Sequence, residues 1–324
     1  MNRRAFLCAF GTVPWLISEV YGGAQDKVPR IGLLGRLTLH SEQREGFQQG
    51  LRALGYVEGE NLLVEWRNTL GFEDDLRPLA AELVRIAPDV LVTFGTPAAR
   101  AVLEATKTTP VVFASVGDPI ATGLVKNLAR PEANGTGVSL LSSELGVKRL
   151  DLLRQLVPRA RRVAFLTALA NPSNAVQAKS VQAAAQTLGI RLDTYDAKNA
   201  GEIESALRSI PWKSIDGVLI GSDPIFQADA ARISRSVRAA KVPAIFPWPD
   251  YHEHGVLMSY GPNLRTVAGR AAYYVDKILH GSKPSDLPVE QVTEVRLIID
   301  LRVARELGIK VPQELLFRAE RVIS

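Results

Sequence analysis

A chain of 324 residues is long for one domain and sets the expectation of two lobes of roughly 130–150 residues each. Its residues are 46% apolar and 23% charged, which excludes disorder, collagen and coiled coil and indicates a globular chain with a substantial core. Lys and Arg outnumber Asp and Glu by 39 to 34, and the resulting charge of +5 is spread along the chain, so no nucleic-acid groove is expected.

Residues 1–24 read as an export signal. Arg3 and Arg4 form a basic start, an apolar run follows from Ala5 to Ile17 around Thr12, and Gly22-Gly23-Ala24 supplies the small residues a signal peptidase needs. The run is too short to span a bilayer. Arg3-Arg4 followed by Phe6-Leu7 resembles a twin-arginine signal, with the Sec route left open. Cys8, the single cysteine, lies inside this segment, so the expected mature chain has neither disulfides nor thiol chemistry. The expected location is the periplasm.

From Arg30 onward, short apolar runs alternate with helical patterns. Residues 31–34 form a buried strand, and residues 41–54 carry Phe47, Leu51 and Leu54 on one helical face, with Gly55 placed as a C-terminal cap. Residues 62–66 are strand-like. A helix from Glu73 presents Leu76, Leu79, Leu83 and Ala87 and stops at Pro88. Strands follow at 89–94, 111–114 and 137–141, the first of them trailed by a helix marked by Ala98, Ala101, Val102 and Ala105. An amphipathic segment at 143–157 ends at Pro158, and the cycle restarts with a strand at 163–166 and a helix at 172–188 closed by Gly189. Further strands lie at 191–195, 217–220, 244–246 and 256–259, separated by helices. This alternation implies βαβ units, parallel sheets buried on both faces, and an α/β fold of two doubly wound lobes joined near residue 142.

In open parallel sheets, ligands bind beyond the carboxyl ends of the strands. Four of those junctions pair a polar residue with proline: Thr96-Pro97, Asp118-Pro119, Asn171-Pro172 and Asp223-Pro224. Taken singly, each reads as a helix cap followed by proline at the first helical position. Taken together, they gather helix N-termini and their free amides around one region between two lobes. Such a rim holds a carboxylate through Thr96 and neighbouring amides, while Asp118 or Asp223 pairs with an ammonium. A zwitterion such as an amino acid fits both ends.

Residues 110–125 (PVVFASVGDPIATGLV) resemble the signature of the substrate-binding proteins of bacterial ABC transporters, a family related to the tryptophan- and tyrosine-binding receptors of Gram-positive bacteria. Similar too are residues 54–61 (LGYVEGEN), 94–98 (FGTPA), 134–138 (NGTGV), 255–261 (GVLMSYG) and 281–290 (GSKPSDLPVE), and the likeness runs in order from about Pro29 to Pro312. The resemblance implies a type I periplasmic-binding-protein fold, with two Rossmann-like lobes, three crossovers and a ligand closed in the cleft. It implies lobe one at 25–141 plus about 262–288 and lobe two at about 142–261, with 289–324 supplying a crossover strand and a tail of open lobe. Carried across position by position, the family's cleft residues fall at Leu39, His40, Thr96, Ser115 and Asp118 on the first lobe and at Asn171 and Asp223 on the second. Trp248, Asp250 and Tyr260 lie near the hinge. The likeness departs at residues 247–250, where the amino-acid binders carry a Glu-containing, Gly-rich turn and this chain has Trp248, Pro249 and Asp250. The ligand's identity stays open at that point.

No Gly-x-Ser-x-Gly elbow, Walker loop or Gly-x-Gly-x-x-Gly fingerprint occurs, and no cofactor is expected. His252 and His254 stand two apart in a Pro-bounded turn with no third His near in sequence, so they read as a solvated loop and no metal is expected. His40 directly follows the first strand and suits a pocket lining, whereas His280 ends a helix and suits its dipole. Trp248 and Tyr260 suit either stacking on a planar ligand or core packing. The expected function is an exported solute receptor, not an enzyme, that closes on a small organic ligand and hands it to an ABC permease. A ligand sensor for a membrane kinase or chemoreceptor is the alternative, and an enzyme on the same fold ranks behind both.

Overall fold

The computed structural model describes residues 28–35, 42–69, 75–131 and 133–324, so residues 1–24, Leu39 and His40 lie outside the described residues. The first sheet holds β1 (Arg30–Gly35), β2 (Leu63–Asn68), β3 (Val90–Phe94), β4 (Val111–Val116), β5 (Gly135–Ser139) and β11 (Glu290–Gln291), in the order β11-β5-β4-β3-β1-β2. The second holds β6 (Arg162–Thr167), β7 (Arg191–Asp196), β8 (Gly217–Ile220), β9 (Ala244–Phe246), β10 (Met258–Gly261), β12 (Arg296–Asp300) and β13 (Arg321–Ile323), in the order β13-β12-β10-β9-β8-β6-β7. The chain therefore passes between the sheets three times, after β5, after β10 and after β11.

Every strand pair of the first sheet is parallel. Its central strands β3 and β4 are buried along their whole length, as runs of Val, Leu and Phe covered on both faces must be. The second sheet departs from the all-parallel expectation at β10 and β12, which pair antiparallel. That strand and β13 come from the C-terminal tail, which thereby joins the second sheet.

Helices cover both faces. The connections of the first sheet carry α1 (Glu42–Ala53), α2 (Leu76–Arg85) and α3 (Thr96–Ala105); those of the second carry α4 (Ser142–Leu156), α5 (Pro172–Thr187), α6 (Ala200–Ser209), α7 (Pro224–Ala228) and α8 (Ala230–Ala239). After β10 the chain returns through α9 (Leu264–Leu279) to pack on the first sheet, and α10 (Leu301–Leu307) and α11 (Gln313–Arg318) follow β12. Gly55 and Gly189 take the left-handed conformation expected of C-terminal caps, with φ of 88° and 66°. One cluster of buried apolar side chains draws on both sheets, with Ile31 and Val92 from the first, Phe47 from α1 above it, and Ala164, Val218 and Phe246 from the second.

α1 and α9 pack unusually close. A Cβ on Gly46 would stand 2.1 Å from the Arg265 carbonyl oxygen, and one on Gly50 would stand 2.7 Å from that of Gly269. The glycines let two backbones approach where any side chain would hold them apart.

Both sheets reverse their strand order beside their first strand, between β1 and β3 in one and between β6 and β8 in the other. The crevice at such a switch point is where this class of sheet receives ligands.

Candidate functional site

On the first lobe, β3 ends at Phe94 and the chain turns through Gly95, with φ of 89°, to open α3 at Thr96. Gly95 rather than Thr96 occupies the cap, which leaves the Thr96 hydroxyl to accept the Gly117 amide at 2.9 Å. Near the end of β4 stands Ser115, a non-glycine residue held at φ 72°. A left-handed serine costs on the order of 1–2 kcal/mol, a cost commonly found at functional sites. Its hydroxyl accepts a 2.7 Å hydrogen bond from the buried Gln43 Nε2 at the start of α1. Ser139 fixes the next loop by donating to the Gly117 carbonyl at 2.8 Å.

The helix expected after Asp118-Pro119 does not form. The segment is a turn in which the Thr122 amide and hydroxyl both donate to the Asp118 carbonyl, at 2.9 and 2.8 Å.

On the second lobe, Asn171 caps α5 by accepting the Ser173 amide at 3.0 Å, and Asp223 caps α7 by accepting the Ile225 amide at 3.0 Å. The other Asp223 oxygen accepts from Asn171 Nδ2 at 2.9 Å and Asn174 Nδ2 at 3.0 Å, so the fully buried carboxylate ties the two helix starts together. Beneath them, Gln177 Nε2 donates to the Ser142 carbonyl at 2.6 Å and to the Ser222 hydroxyl at 3.3 Å. Arg149 of α4 donates from Nη2 to the same hydroxyl at 2.9 Å and from Nη1 to the Tyr260 carbonyl at 3.2 Å. It is 1% exposed, and burial pushes its guanidinium down to about 9, still charged at neutral pH.

The two rims meet around a cavity of about 20 Å³, lined from the first lobe by Gln43, Phe94, Thr96, Ser115 and Gly117 and from the second by Ser142, Asn171, Ser173, Ser222 and Trp248. Among the described residues its lining holds no charged side chain. Contact across the gap is close: a Cβ on Gly117 would lie 1.5 Å from Ser173 Oγ and 2.5 Å from its Cβ. Beside it, the Asp118 carboxylate accepts the Ser143 hydroxyl at 2.7 Å and the Ser143 amide at 3.3 Å, both from the first turn of α4. Burial pushes the Asp118 carboxyl up, while the hydrogen bonds from Ser143 work against that shift.

Of the residues singled out from sequence, Thr96, Ser115, Asn171 and Trp248 thus come together on one cavity. Asp118 and Asp223 stand next to its lining, and Asp223 serves as an internal brace, not as a free partner for an ammonium. Tyr260 does not reach the cavity. It lies on β10, and its side chain packs against the apolar cluster of Leu152, Phe165 and Leu297. Asp250 belongs to a short 3-10 helix, Pro249–His254, and Trp248 packs on Tyr251 at 5.6 Å between ring centroids. His252 lies 3.1 Å from the Pro249 carbonyl, and no group of three His, Cys, Asp or Glu side chains gathers among the described residues. Gln43, Gly117, Ser142, Ser173, Ser222 and Arg149 escape the sequence reading. Gly117 and Ser222 carry a local signal, since each lies just past a strand, β4 or β8, and directly before an Asp-Pro corner.

Two α/β lobes meeting at their switch points are an architecture shared by many receptors, and the comparison with known families decides between them. The family described as ABC transporter substrate binding protein matches residues 39–323. The chain belongs to that family. A tyrosine-binding protein of Clostridioides difficile (strain R20291) is 25% identical over 258 residues, covering 79% of this chain and 74% of the relative. Among solved structures, an ABC domain in complex with L-Trp from Streptococcus pneumoniae is 26% identical and superimposes with a TM-score of 0.83, over 91% of this chain and 99% of that one. A ligand-free, open substrate-binding protein with adhesive properties from Clostridium difficile is 25% identical and gives a TM-score of 0.64, over 92% of this chain and 100% of that one. The fold of this ABC substrate-binding protein is accordingly of the type I periplasmic-binding-protein class.

Proposed function

We propose that this protein captures an amino acid with an aromatic side chain between its lobes and presents it to the permease of an ABC transporter. The observation that carries the reading is the convergence of the Thr96, Ser115 and Ser222 hydroxyls and the Trp248 ring on one interlobe cavity. Phe94 and Trp248 offer apolar walls, the hydroxyls offer hydrogen bonds to polar ends, and Asp118 stands at the edge to meet an ammonium. The tyrosine-binding relative and the tryptophan-bound neighbour support the choice of ligand class.

A cavity of about 20 Å³ admits little more than one water, so an amino acid enters only when the rims part. Contacts from both lobes then favour the closed arrangement, and closure is the signal that the permease reads. The moving bodies are residues 28–141 with 262–291 and residues 142–261 with 292–324, as the sheet memberships suggest. At nearly equal identity, the chain matches the tryptophan complex better than the ligand-free, open structure, in keeping with closed lobes here. Export through residues 1–24 and a periplasmic working place belong to the same proposal.

The test is thermal denaturation against a panel of amino acids and aromatic acids. A ligand at a hundredfold its dissociation constant adds about 2.7 kcal/mol of stability, a clear rise in Tm. Stabilisation by aromatic amino acids is the expected result, and a Tm unmoved by every compound overturns the reading.

A further inference from the structure

The second lobe contains a charged group that its own packing does not explain. Arg149 is 1% exposed, yet no carboxylate pairs with it, and its Nε has no hydrogen-bond partner among the described residues. Buried guanidinium groups ordinarily sit against a carboxylate, because removing a charge from water costs several kcal/mol. Here both of its acceptors among the described residues are neutral, the Tyr260 carbonyl and the Ser222 hydroxyl. The positive charge is therefore uncompensated directly behind a residue that lines the interlobe cavity.

Ser222 shows what the arrangement does. Its oxygen accepts from Arg149 Nη2 at 2.9 Å and from Gln177 Nε2 at 3.3 Å, so both lone pairs are used. What remains is the O–H, free to donate, on a side chain that faces the cavity and is polarised by the cation behind it. Thr96 and Ser115, across the gap, have the same bias. Each accepts one internal N–H, from Gly117 and Gln43 respectively, and none of the three hydroxyls donates to a protein acceptor among the described residues. The cavity is consequently rich in donors, and a group made only of acceptors satisfies it best.

We infer that Ser222, held and polarised by Arg149, receives the carboxylate of the ligand, with Arg149 acting as a positioning residue that supplies positive potential without touching the ligand. The inference rests on the proposed capture of an amino acid and adds which end of that molecule the second lobe reads. It differs from the expectation drawn from sequence, in which Thr96 and neighbouring amides hold the carboxylate.

The experiment compares the affinity of the protein for L-tryptophan and for L-tryptophanamide by calorimetry, in the wild type, Ser222→Ala and Arg149→Met. At a pH below the pKa of its amino group, the amide keeps the ring and the ammonium and exchanges the anionic carboxylate for a neutral carboxamide. The wild type is expected to prefer the acid by about tenfold or more, as hydrogen bonds to a charged group discriminate. Ser222→Ala and Arg149→Met are expected to bring that ratio toward one. A purely structural role for Arg149 would weaken both ligands by the same factor and leave the ratio unchanged, which overturns the inference. Should Arg149→Met not fold, Ser222→Ala alone decides, since Ser222 is half-buried and the change removes a single oxygen. A wild type that binds neither compound nor any other amino acid overturns the functional reading itself. A wild type that binds both with one affinity overturns only the inference.

Discussion

Asp223 illustrates how one side chain can hold a site without contacting its ligand. Its carboxylate caps α7 and receives both Asn171 and Asn174 while wholly buried. Asp223→Ala removes the cap, worth about 1 kcal/mol, and strands two buried amide donors at about 1–3 kcal/mol each. A loss of roughly 3–7 kcal/mol is expected, read from the midpoint of urea denaturation. Asp118 is expected to behave in the opposite way. Burial raises its native pKa, so its contribution to stability is full below the ordinary carboxylate value and is lost as pH rises through the raised one. Asp118→Asn removes that loss, so the unliganded Tm at neutral pH should hold or rise. Affinity for an amino acid should fall about tenfold, because the ammonium loses its charged partner. A Tm that drops together with affinity would contradict this division of roles.

At the scale of elements, two glycines separate closure from folding. Gly117→Ala places a methyl against Ser173 of the opposite rim; rotation relieves the clash with Oγ, but the one with Cβ remains. Overpacking of about 1–3 kcal/mol falls on the closed arrangement alone, so affinity should weaken by about ten- to hundredfold while the unliganded Tm stays within a degree or so. Gly46→Ala instead drives a methyl into the Arg265 carbonyl within one lobe. Its cost of about 1–3 kcal/mol should appear as a Tm lowered by several degrees. Most elements are legible in the sequence, because buried parallel strands announce themselves as short Val, Leu and Phe runs between amphipathic helices. What is not legible follows from pairing between distant segments. Nothing near Arg296 shows that β12 runs antiparallel to β10, and nothing in the pattern of β10 shows that Tyr260 turns toward the apolar cluster.

For the whole molecule, the same division applies to the cleft. Thr96 and Asn171 are legible because strand ends followed by polar residues locate the mouth of a sheet, whereas Ser115 and Trp248 are reached only through the family resemblance. Gln43 is not legible, since its role consists of a bond to Ser115 across 72 residues of chain. Gly117 is not either, because only the opposite lobe gives its missing side chain a meaning. The central claim is that the ligand binds where these two sets of residues meet. Among the described residues Trp248 is the tryptophan that lines that cavity, so replacing Trp66 and Trp212 by Phe in a protein that begins at residue 25 leaves one reporter at the site. Fluorescence of this variant during titration with L-tyrosine, excited where only tryptophan absorbs, is the most direct measurement. A saturable change in Trp248 emission with one ligand per chain is expected; an emission that stays flat while calorimetry records binding would place the ligand elsewhere.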